Sequence, residues 1–292
     1  MSSPGTSGAE SGGPLTPTIG VFDSGFGGLT VLRALVARLP HARFAFLGDT
    51  ARLPYGSKSR RTIARYAAQS AQFLVREQGA EFLVIACNTA SALALDAIQD
   101  AVSVPVLGVI EPGATAARVA SRTGDVLVIA TDATVHSHAY AAACRAHGLR
   151  ALEKACPLLV PLAEEGWTNH PVTAEVIRIY LDELTAEAAA QGLHPDTLVL
   201  GCTHYPLLRP LIARAVPAGM TVIDSAEAAA EAAVRQFSPP SAQVPSAQVP
   251  SAQVPSAQIT CFATDSVEKF ERLGSRFLGQ PTGKVELVDL GG

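Results

Sequence analysis

Two cysteines occupy matching places in this chain, each directly after a short apolar run. Cys87 follows residues 82–86, and Cys202 follows residues 197–201. Apolar runs of this length that end in small polar residues are typical of buried parallel strands. At a strand tip, the start of the next helix stabilises a thiolate and lowers the pKa of a cysteine from its usual value of about 8.5. The repeated pattern predicts two related half-sites that face one cleft.

Three kinds of chemistry could use this pair of thiols. Zinc could bind Cys87, Cys202 and His204, although this set is one ligand short and contains no C-x-x-C pair. Cys202 could instead be a nucleophile with His204 as its base, which leaves Cys87 unexplained. A thiolate and a thiol on opposite walls could remove a proton from one face of a carbon and return one to the other face. The duplication favours this two-base transfer and leaves the other two chemistries open.

The bulk composition indicates a globular α/β protein. The chain has 292 residues, of which 48% are hydrophobic and 16% are charged, which is typical of a globular protein rather than a disordered or fibrous one. The formal net charge is −4, and the longest basic block is Arg60-Arg61. We therefore expect no nucleic-acid partner. Because no apolar run reaches the ~18 residues that cross a bilayer, we expect no membrane partner either.

The cysteine count bears on the compartment. The chain has five cysteines and no signal peptide at its N-terminus, and this favours free thiols in a reducing cytosol over a disulfide framework. We therefore predict a cytoplasmic protein. Cys144, Cys156 and Cys261 are interpreted as packing residues, because a lone cysteine in apolar surroundings is normally inert.

A glycine-rich turn follows the first predicted strand. It reads Asp23-Ser24-Gly25-Phe26-Gly27-Gly28 and precedes a helix. Such a turn lets the backbone approach a ligand and directs free N–H groups at an anion. It is not a dinucleotide fingerprint, because Thr30 stands where G-x-G-x-x-G has its third glycine, and a plain tight turn is the alternative. The loop 51–59 is longer than a simple connection needs, which favours a second binding element.

Alternating strands and helices predict parallel sheets with ligands at the strand tips. We expect two similar parallel-sheet α/β domains with the active site in the cleft between them. Residues 17–111 and 222–292 would form the first domain and 112–221 the second, with the first crossing at Glu111-Pro112-Gly113. Residues 1–16 are predicted to be a disordered tail. The repeated Ser-Ala-Gln-Val-Pro unit predicts a low-complexity loop over 238–258, because its prolines forbid a helix.

Four motifs together resemble one known family. They are Asp23-Ser24-Gly25-x-Gly27-Gly28, Pro54-Tyr55-Gly56, Ala86-Cys87-Asn88-Thr89-Ala90 and Gly201-Cys202-Thr203-His204-Tyr205-Pro206. In order and approximate spacing they resemble the glutamate racemases of the aspartate/glutamate racemase superfamily, over roughly residues 17–237 and 259–278. The resemblance implies interconversion of L- and D-glutamate without a cofactor or metal, supplying D-glutamate to peptidoglycan. It also implies a two-domain α/β fold, commonly in a homodimer.

The resemblance assigns roles to particular residues. It implies that Cys87 and Cys202 are the proton donor and acceptor, assisted by Asp23 and His204, with Glu164 a weaker candidate for the same task. It leaves a contact from Thr134 open, because residues 131–135 resemble the family's threonine-containing turn only loosely. The implied substrate-binding residues are Asp23, Ser24, Tyr55, Gly56, Asn88, Thr89, Thr203 and His204.

Two other functions stay open at the level of sequence. One is a racemase for aspartate or another acidic amino acid, which would use the same thiols. The other is a non-catalytic binding protein on the same scaffold. The intact pair Cys87 and Cys202 argues against a binding protein, since such a protein would need neither thiol.

Overall fold

The computed structural model describes residues 17–237 and 257–291. The tail predicted for residues 1–16 and nearly all of the loop predicted for 238–258 lie outside the described residues. The strands are β1 (Thr18–Asp23), β2 (Arg43–Gly48), β3 (Phe82–Ile85), β4 (Val106–Gly108), β5 (Asp125–Ala130), β6 (Arg150–Ala155), β7 (Thr197–Gly201), β8 (Thr221–Asp224), β9 (Gln258–Ala263) and β10 (Val285–Leu287).

Helices connect nearly all of these strands. They are α1 (Leu29–Arg38), α2 (Arg60–Arg76), α3 (Asn88–Leu93), α4 (Leu95–Ala101), α5 (Ile110–Ala120), α6 (Asp132–Ser137), α7 (Ala139–Ala146), α8 (Leu159–Glu164), α9 (Pro171–Ala190), α10 (Arg209–Ala215), α11 (Ser225–Phe237) and α12 (Val267–Leu278). Three short 3₁₀ turns lie at Thr50–Arg52, Tyr55–Ser57 and Tyr205–Leu208.

The strands form two sheets, and the strand pairs within each are parallel. The first sheet has six strands in the order β10-β9-β2-β1-β3-β4, and the second has four in the order β6-β5-β7-β8. The inner strands β1, β3, β5 and β7 are buried throughout, which explains why they are nearly continuous apolar runs. The predicted fold class, with two parallel α/β sheets, is confirmed.

The two sheets repeat one strand order. In each, the first strand of the unit lies between the second and the third, and the fourth pairs with the third: β2-β1-β3-β4 in one sheet and β6-β5-β7-β8 in the other. The direction of winding therefore reverses beside β1 and beside β5, and ligands of parallel sheets bind in the crevice at such a reversal. Cys87 lies just after β3, and Cys202 lies just after β7. Because each of these is the third strand of its unit, the two thiols have equivalent topological positions.

Two helical segments have boundaries that depend on single residues. The segment Glu111-Pro112-Gly113, expected to be a crossing, lies in the first turn of α5. Proline is tolerated there because the first N–H groups of a helix have no partner within the helix. The helical segment between Cys87 and Val102 is divided into α3 and α4 at Ala94, whose φ of −138° and ψ of 4° are not helical.

A close backbone approach fixes the turn after β1. Gly48 ends β2, and a Cβ at this position would overlap the carbonyl oxygen of Gly25 and lie 2.7 Å from Cε2 of Phe270. No side-chain rotation can move a backbone carbonyl, so the turn between β1 and α1 can lie on β2 only because residue 48 has no side chain.

We expect Gly48→Ala to lower the free energy of unfolding by about 1–3 kcal/mol, the usual cost of overpacking. Gly56→Ala is the matched control, because no heavy atom lies within 4 Å of a Cβ built at Gly56. Denaturant unfolding of both variants measures the difference. Equal stability of Gly48→Ala and the wild type would contradict the close approach.

Candidate active site

One cavity of about 340 Å³ receives residues from the carboxyl ends of both sheets. Its predicted lining residues are Ser24, Tyr55, Gly56, Cys87, Asn88 and Thr89 from the first sheet's side and Glu164, Cys202, Thr203 and His204 from the second. The fold therefore brings the two cysteines and their predicted neighbours to one cavity. Asp23 is the exception, because it is buried behind the lining residues.

Cys87 caps the helix that follows it. Its Sγ accepts a hydrogen bond from the backbone N–H of Ala90 at 3.4 Å, and its thiol donates to Oγ of Ser24 at 3.3 Å. The lowered pKa expected for a cysteine at a strand tip is wrong for Cys87, because burial, and then the negative charge of Asp23, raise its pKa to about 12. A thiol in this position keeps its proton at neutral pH and can act as an acid.

Asp23 supports the turn that carries Ser24. Its Oδ2 accepts the N–H of Gly25 at 2.9 Å, whereas its Oδ1 is buried without a partner among the described residues. Burial raises the pKa of this carboxyl, against the positive charge of His204 and nearby N–H groups that lower it. Asp23 thus keeps one carboxylate oxygen buried and unpaired among the described residues, beside the turn that carries Ser24.

The second thiol is the first of three side chains in contact: Cys202, His204 and Glu164. Nδ1 of His204 lies 3.9 Å from Sγ of Cys202, and Nε2 of His204 lies 3.3 Å from Oε1 of Glu164. Burial disfavours the charged imidazole, but its interactions with Cys202 and Glu164 outweigh this and raise the pKa of His204 to about 10. Glu164 is also partly desolvated, yet contact with His204 lowers its pKa. The imidazolium therefore lies between the carboxylate of Glu164 and the sulfur of Cys202.

Helix α12, which connects β9 and β10 of the first sheet, contacts Glu164 from outside the cavity. Nη1 of Arg276 donates to the backbone carbonyl of Glu164 at 3.1 Å, and Nζ of Lys269 lies 3.8 Å from Oε2 of Glu164. Gly166 leaves room for the guanidinium, since a Cβ there would lie 2.5 Å from Nη1 of Arg276. The position of Glu164 thus depends on both halves of the protein.

The glycine-rich turn serves close packing between the halves. A Cβ at Gly27 would overlap Oγ1 of Thr203 and lie 2.6 Å from Cε1 of His204. Oγ1 of Thr30 donates to the carbonyl of Thr203 at 2.9 Å. The sequence left open whether this turn binds a ligand or is a plain tight turn. In the structure, the missing side chain at Gly27 makes room for the loop that follows Cys202.

A cluster of hydroxyl groups lies beside the thiols. Oγ1 of Thr89 is 3.1 Å from Oγ1 of Thr131 and 3.3 Å from Oγ1 of Thr134, and the last two are 2.9 Å apart. Thr89 and Thr131 line the cavity, whereas Thr134 is completely buried. The contact left open for Thr134 is therefore a contact with the other two threonines in this structure.

Sequence reasoning missed Asp49, which orients Tyr55. The hydroxyl of Tyr55 donates to Oδ2 of Asp49 at 2.6 Å, while Oδ1 of Asp49 accepts from Thr264 at 2.9 Å. It also missed Thr131, which directly follows β5 as Ser24 directly follows β1. A polar residue at a strand tip was the available signal for both Asp49 and Thr131.

The apolar part of the wall carried no signal in the sequence. This part of the cavity wall consists of Leu53, Pro157, Val160 and Pro161, and none of them belongs to the four motifs except by proximity of Leu53 to Pro54. The zinc alternative finds no support in the geometry: within residues 17–237 and 257–291, no group of three His, Cys, Asp or Glu side chains is placed to hold a metal ion. Over the same residues, no helix is both long and apolar enough to cross a membrane.

Fold and cavity together define a parallel α/β protein with two thiols at equivalent strand ends. Residues 19–233 match the model of the Asp/Glu/Hydantoin racemase family. The chain belongs to this family, and the resemblance inferred from the four motifs is confirmed.

Individual relatives agree with this assignment. The chain is 53% identical over 290 residues to a glutamate racemase of Koribacter versatilis, with 94% of this chain and 98% of the relative covered. Its structure is similar to glutamate racemase isoform RacE1 of Bacillus anthracis, with a TM-score of 0.81, 35% identity, and 94% and 98% of the two chains covered. It is also similar to a Francisella tularensis glutamate racemase in complex with D-glutamate, with a TM-score of 0.79, 33% identity and the same coverage.

Replacing Glu164 by Gln removes the negative partner of His204 and makes stability depend differently on pH. The lowered pKa of Glu164 stabilises the fold above its unfolded value of 4.5, and this contribution is lost as the pH falls. The raised pKa of His204 stabilises the fold fully below 6.5, and this contribution is lost as the pH rises through about 10. We expect Glu164→Gln to lower the free energy of unfolding by about 1–2 kcal/mol between about pH 5 and 6.5. Near pH 10 the free energy of unfolding should be almost unchanged.

Denaturant unfolding across this pH range measures the effect. Glu165→Gln is the control, because Glu165 is exposed and forms no ion pair with any residue that the structure describes. Its unfolding free energy should track that of the wild type at every pH. A constant difference between Glu164→Gln and the wild type from pH 5 to 10 would show that the carboxylate does not interact with a titrating His204.

Proposed function

We propose that this chain is a glutamate racemase that interconverts L- and D-glutamate, supplying D-glutamate for peptidoglycan. The observation that carries the proposal is the presence of Cys87 and Cys202 in one cavity, at equivalent ends of two repeated strand units. The names of its relatives support the substrate. No feature of the cavity favours aspartate or a purely binding role over this function.

The reaction proceeds by transfer of two protons at one carbon. The thiolate of one cysteine removes the Cα proton from one face of glutamate, and the thiol of the other cysteine gives its proton to the opposite face. The substrate gains one proton and loses one, so its charge is unchanged. The two cysteines exchange protonation states in each turnover, and no other reactant is consumed.

The surroundings of the thiols suit these complementary states. The raised pKa of Cys87 keeps it protonated at neutral pH, whereas Cys202 has the positively charged imidazolium of His204 beside it. For one enantiomer Cys202 would be the base and Cys87 the acid, and the roles would reverse for the other enantiomer. Asp23 and His204 assist the thiols, and Glu164 holds His204 in its charged form.

The remaining predicted residues bind the substrate. Hydroxyl and amide groups of Ser24, Asn88, Thr89 and Thr203 supply donors for the two carboxylates, and the free Oδ1 of Asp23 accepts from the ammonium group. Tyr55 and Gly56 close the cavity at the 3₁₀ turn, with Tyr55 fixed by Asp49. A closed cavity strengthens the interactions that stabilise the negative charge developing at Cα. We propose that the protein needs no cofactor, as the family resemblance implies.

The division into domains is likewise a proposal. Residues 17–111 would form the first domain with the C-terminal segment, because β1–β4, β9 and β10 share a sheet. Residues 112–221 were predicted to form the second, but this boundary falls within β8. Since β8 pairs with β7, we place the second crossing just after Asp224. A cytoplasmic location is supported by the five cysteines, all of which are free.

We propose that the protein is a homodimer in solution, as the resemblance implies. Sedimentation velocity of the purified protein measures this directly. We expect a species of twice the 30.2 kDa chain mass. A single species at the chain mass, over the micromolar range, would contradict the dimer.

The function is tested by circular dichroism with L-glutamate and D-glutamate as separate substrates, without added cofactor. We expect both to reach the same racemic end point, with turnover unaffected by a metal chelator or by hydroxylamine, and no change with L- or D-aspartate. Racemisation of aspartate alone would move the assignment to another acidic amino acid. No change with any substrate would favour a binding role.

Cys87→Ser and Cys202→Ser test the two bases. Since general acid–base groups typically contribute 10²- to 10⁴-fold, we expect each variant to lose racemisation by about 100-fold or more. Cys144→Ala is the matched control: Cys144 is buried but does not line the cavity, so its turnover should match the wild type. Normal racemisation by either serine variant would rule out the two-base assignment.

A further inference from the structure

Tyr140 contacts the candidate site from the opposite half of the protein. It lies on α7, beside the second sheet, and its hydroxyl donates to Oδ1 of Asn88 at 2.7 Å. Asn88 is the first residue of α3, directly after Cys87, and lines the cavity. Both side chains are buried. This hydrogen bond therefore joins a cavity-lining amide to a residue that does not itself line the cavity.

Two glycines leave room for the ring of Tyr140 on its two sides. A Cβ at Gly201, the last residue of β7, would lie 2.9 Å from Cε2 of Tyr140, and a Cβ at Gly113 in α5 would lie 3.2 Å from Cε1. His138, in the left-handed region with a φ of 54°, separates α6 from α7 and sets the direction in which α7 leaves. The hydroxyl is thus placed by three elements of the second half.

The contact fixes the orientation of the Asn88 amide. Burial raises the pKa of Tyr140, so the hydroxyl keeps its proton and remains a donor. With Oδ1 of Asn88 engaged, the NH₂ group must point the other way. Its Nδ2 is buried and has no partner among the residues that the structure describes. A buried donor without a partner is costly, and binding an acceptor removes that cost.

We propose that Tyr140 is a positioning residue for substrate binding, whose hydroxyl holds the Asn88 amide with Nδ2 directed at a carboxylate oxygen of the bound amino acid. The inference rests on the proposed function, because glutamate supplies the acceptor. Without the hydroxyl the amide is free to turn over, and Oδ1 would then face the anionic carboxylate and repel it. A residue that only fills the core would affect folding but not the orientation of this amide.

Tyr140→Phe tests this, because it removes the hydroxyl and keeps the ring. A net hydrogen bond of ordinary strength corresponds to a factor of about 3 to 10 in an equilibrium. We expect the KM for both glutamate enantiomers to rise about 3- to 10-fold, with kcat within about twofold, because the contact is made equally in the ground and transition states. An unchanged KM would overturn the inference.

A double-mutant cycle shows whether Tyr140 acts through Asn88. In an Asn88→Ala background no amide remains to be oriented, so adding Tyr140→Phe should leave KM unchanged within about 1.5-fold. The same rise in KM in both backgrounds would mean that Tyr140 acts by another route, and would overturn the inference.

Tyr205→Phe is the matched control for loss of a buried hydroxyl. Tyr205 is completely buried, and its hydroxyl lies 3.0 Å from two backbone acceptors, the carbonyls of Ala130 and Cys156. This variant should lower the melting temperature as Tyr140→Phe does, with KM within about twofold of the wild type. An equal rise in KM in both tyrosine variants would indicate a general effect of destabilisation and would overturn the inference.

A readout without ligand separates this inference from the proposed function. The same cycle on unfolding free energies should give a non-additive coupling between positions 88 and 140, and additivity would show that the hydrogen bond does not form. If the wild type racemises glutamate while Tyr140→Phe keeps its KM, only the inference fails. If the wild type neither binds nor racemises glutamate, the proposed function fails, and the substrate role of Tyr140 fails with it even where the coupling is observed.

Discussion

The structure depends on the close packing, at Gly27, of the turn after β1 against the loop after β7. Because this residue has no Cβ, the loop of Thr203 and His204 packs directly on the turn after β1, and Thr30 bonds to that loop. Cys87 and Cys202 are both buried close to this contact. Burial then raises the pKa of Cys87, and a charged His204 becomes dependent on Glu164. The His204 side chain of the second half thus meets the first half where the Gly27 backbone leaves room for it and for Thr203.

Equivalent topology does not give the two thiols equivalent surroundings. Cys87 lies beside a carboxyl group and a hydroxyl, at the cap of α3, whereas Cys202 lies beside an imidazole that is paired with Glu164. Two-base transfer needs unlike protonation states at any moment, and identical half-sites would have no preference for which thiol is charged. An internal repeat thus supplies the positions, and divergence of the neighbouring residues supplies the difference. Titrations of such interacting groups belong to the set rather than to one residue.

How far the sequence predicted this site depends on the range of each interaction. The cysteines and their polar neighbours were predictable, because an apolar run followed by a reactive residue is a local pattern. The hydrogen bond from Tyr140 to Asn88 joins residues 52 positions apart, and no local spacing encodes it. Glu111-Pro112-Gly113 was ambiguous for a different reason: proline and glycine mark loops, but proline also suits the first turn of a helix. The apolar wall at Val160 resembled any core segment.

Two unpaired polar atoms beside the cavity support an amino-acid substrate. Oδ1 of Asp23 is a buried acceptor and Nδ2 of Asn88 a buried donor, and neither has a partner among the described residues. Leaving such groups unsatisfied costs about 1–3 kcal/mol each, so the fold maintains them at the expense of its own stability. A zwitterionic amino acid carries an ammonium group that can donate to the first and a carboxylate that can accept from the second. Both atoms belong to residues next to Ser24 or Cys87, so satisfying them holds Cα near a thiol. Substrate binding and placement of the reacting carbon are therefore one event in this cavity.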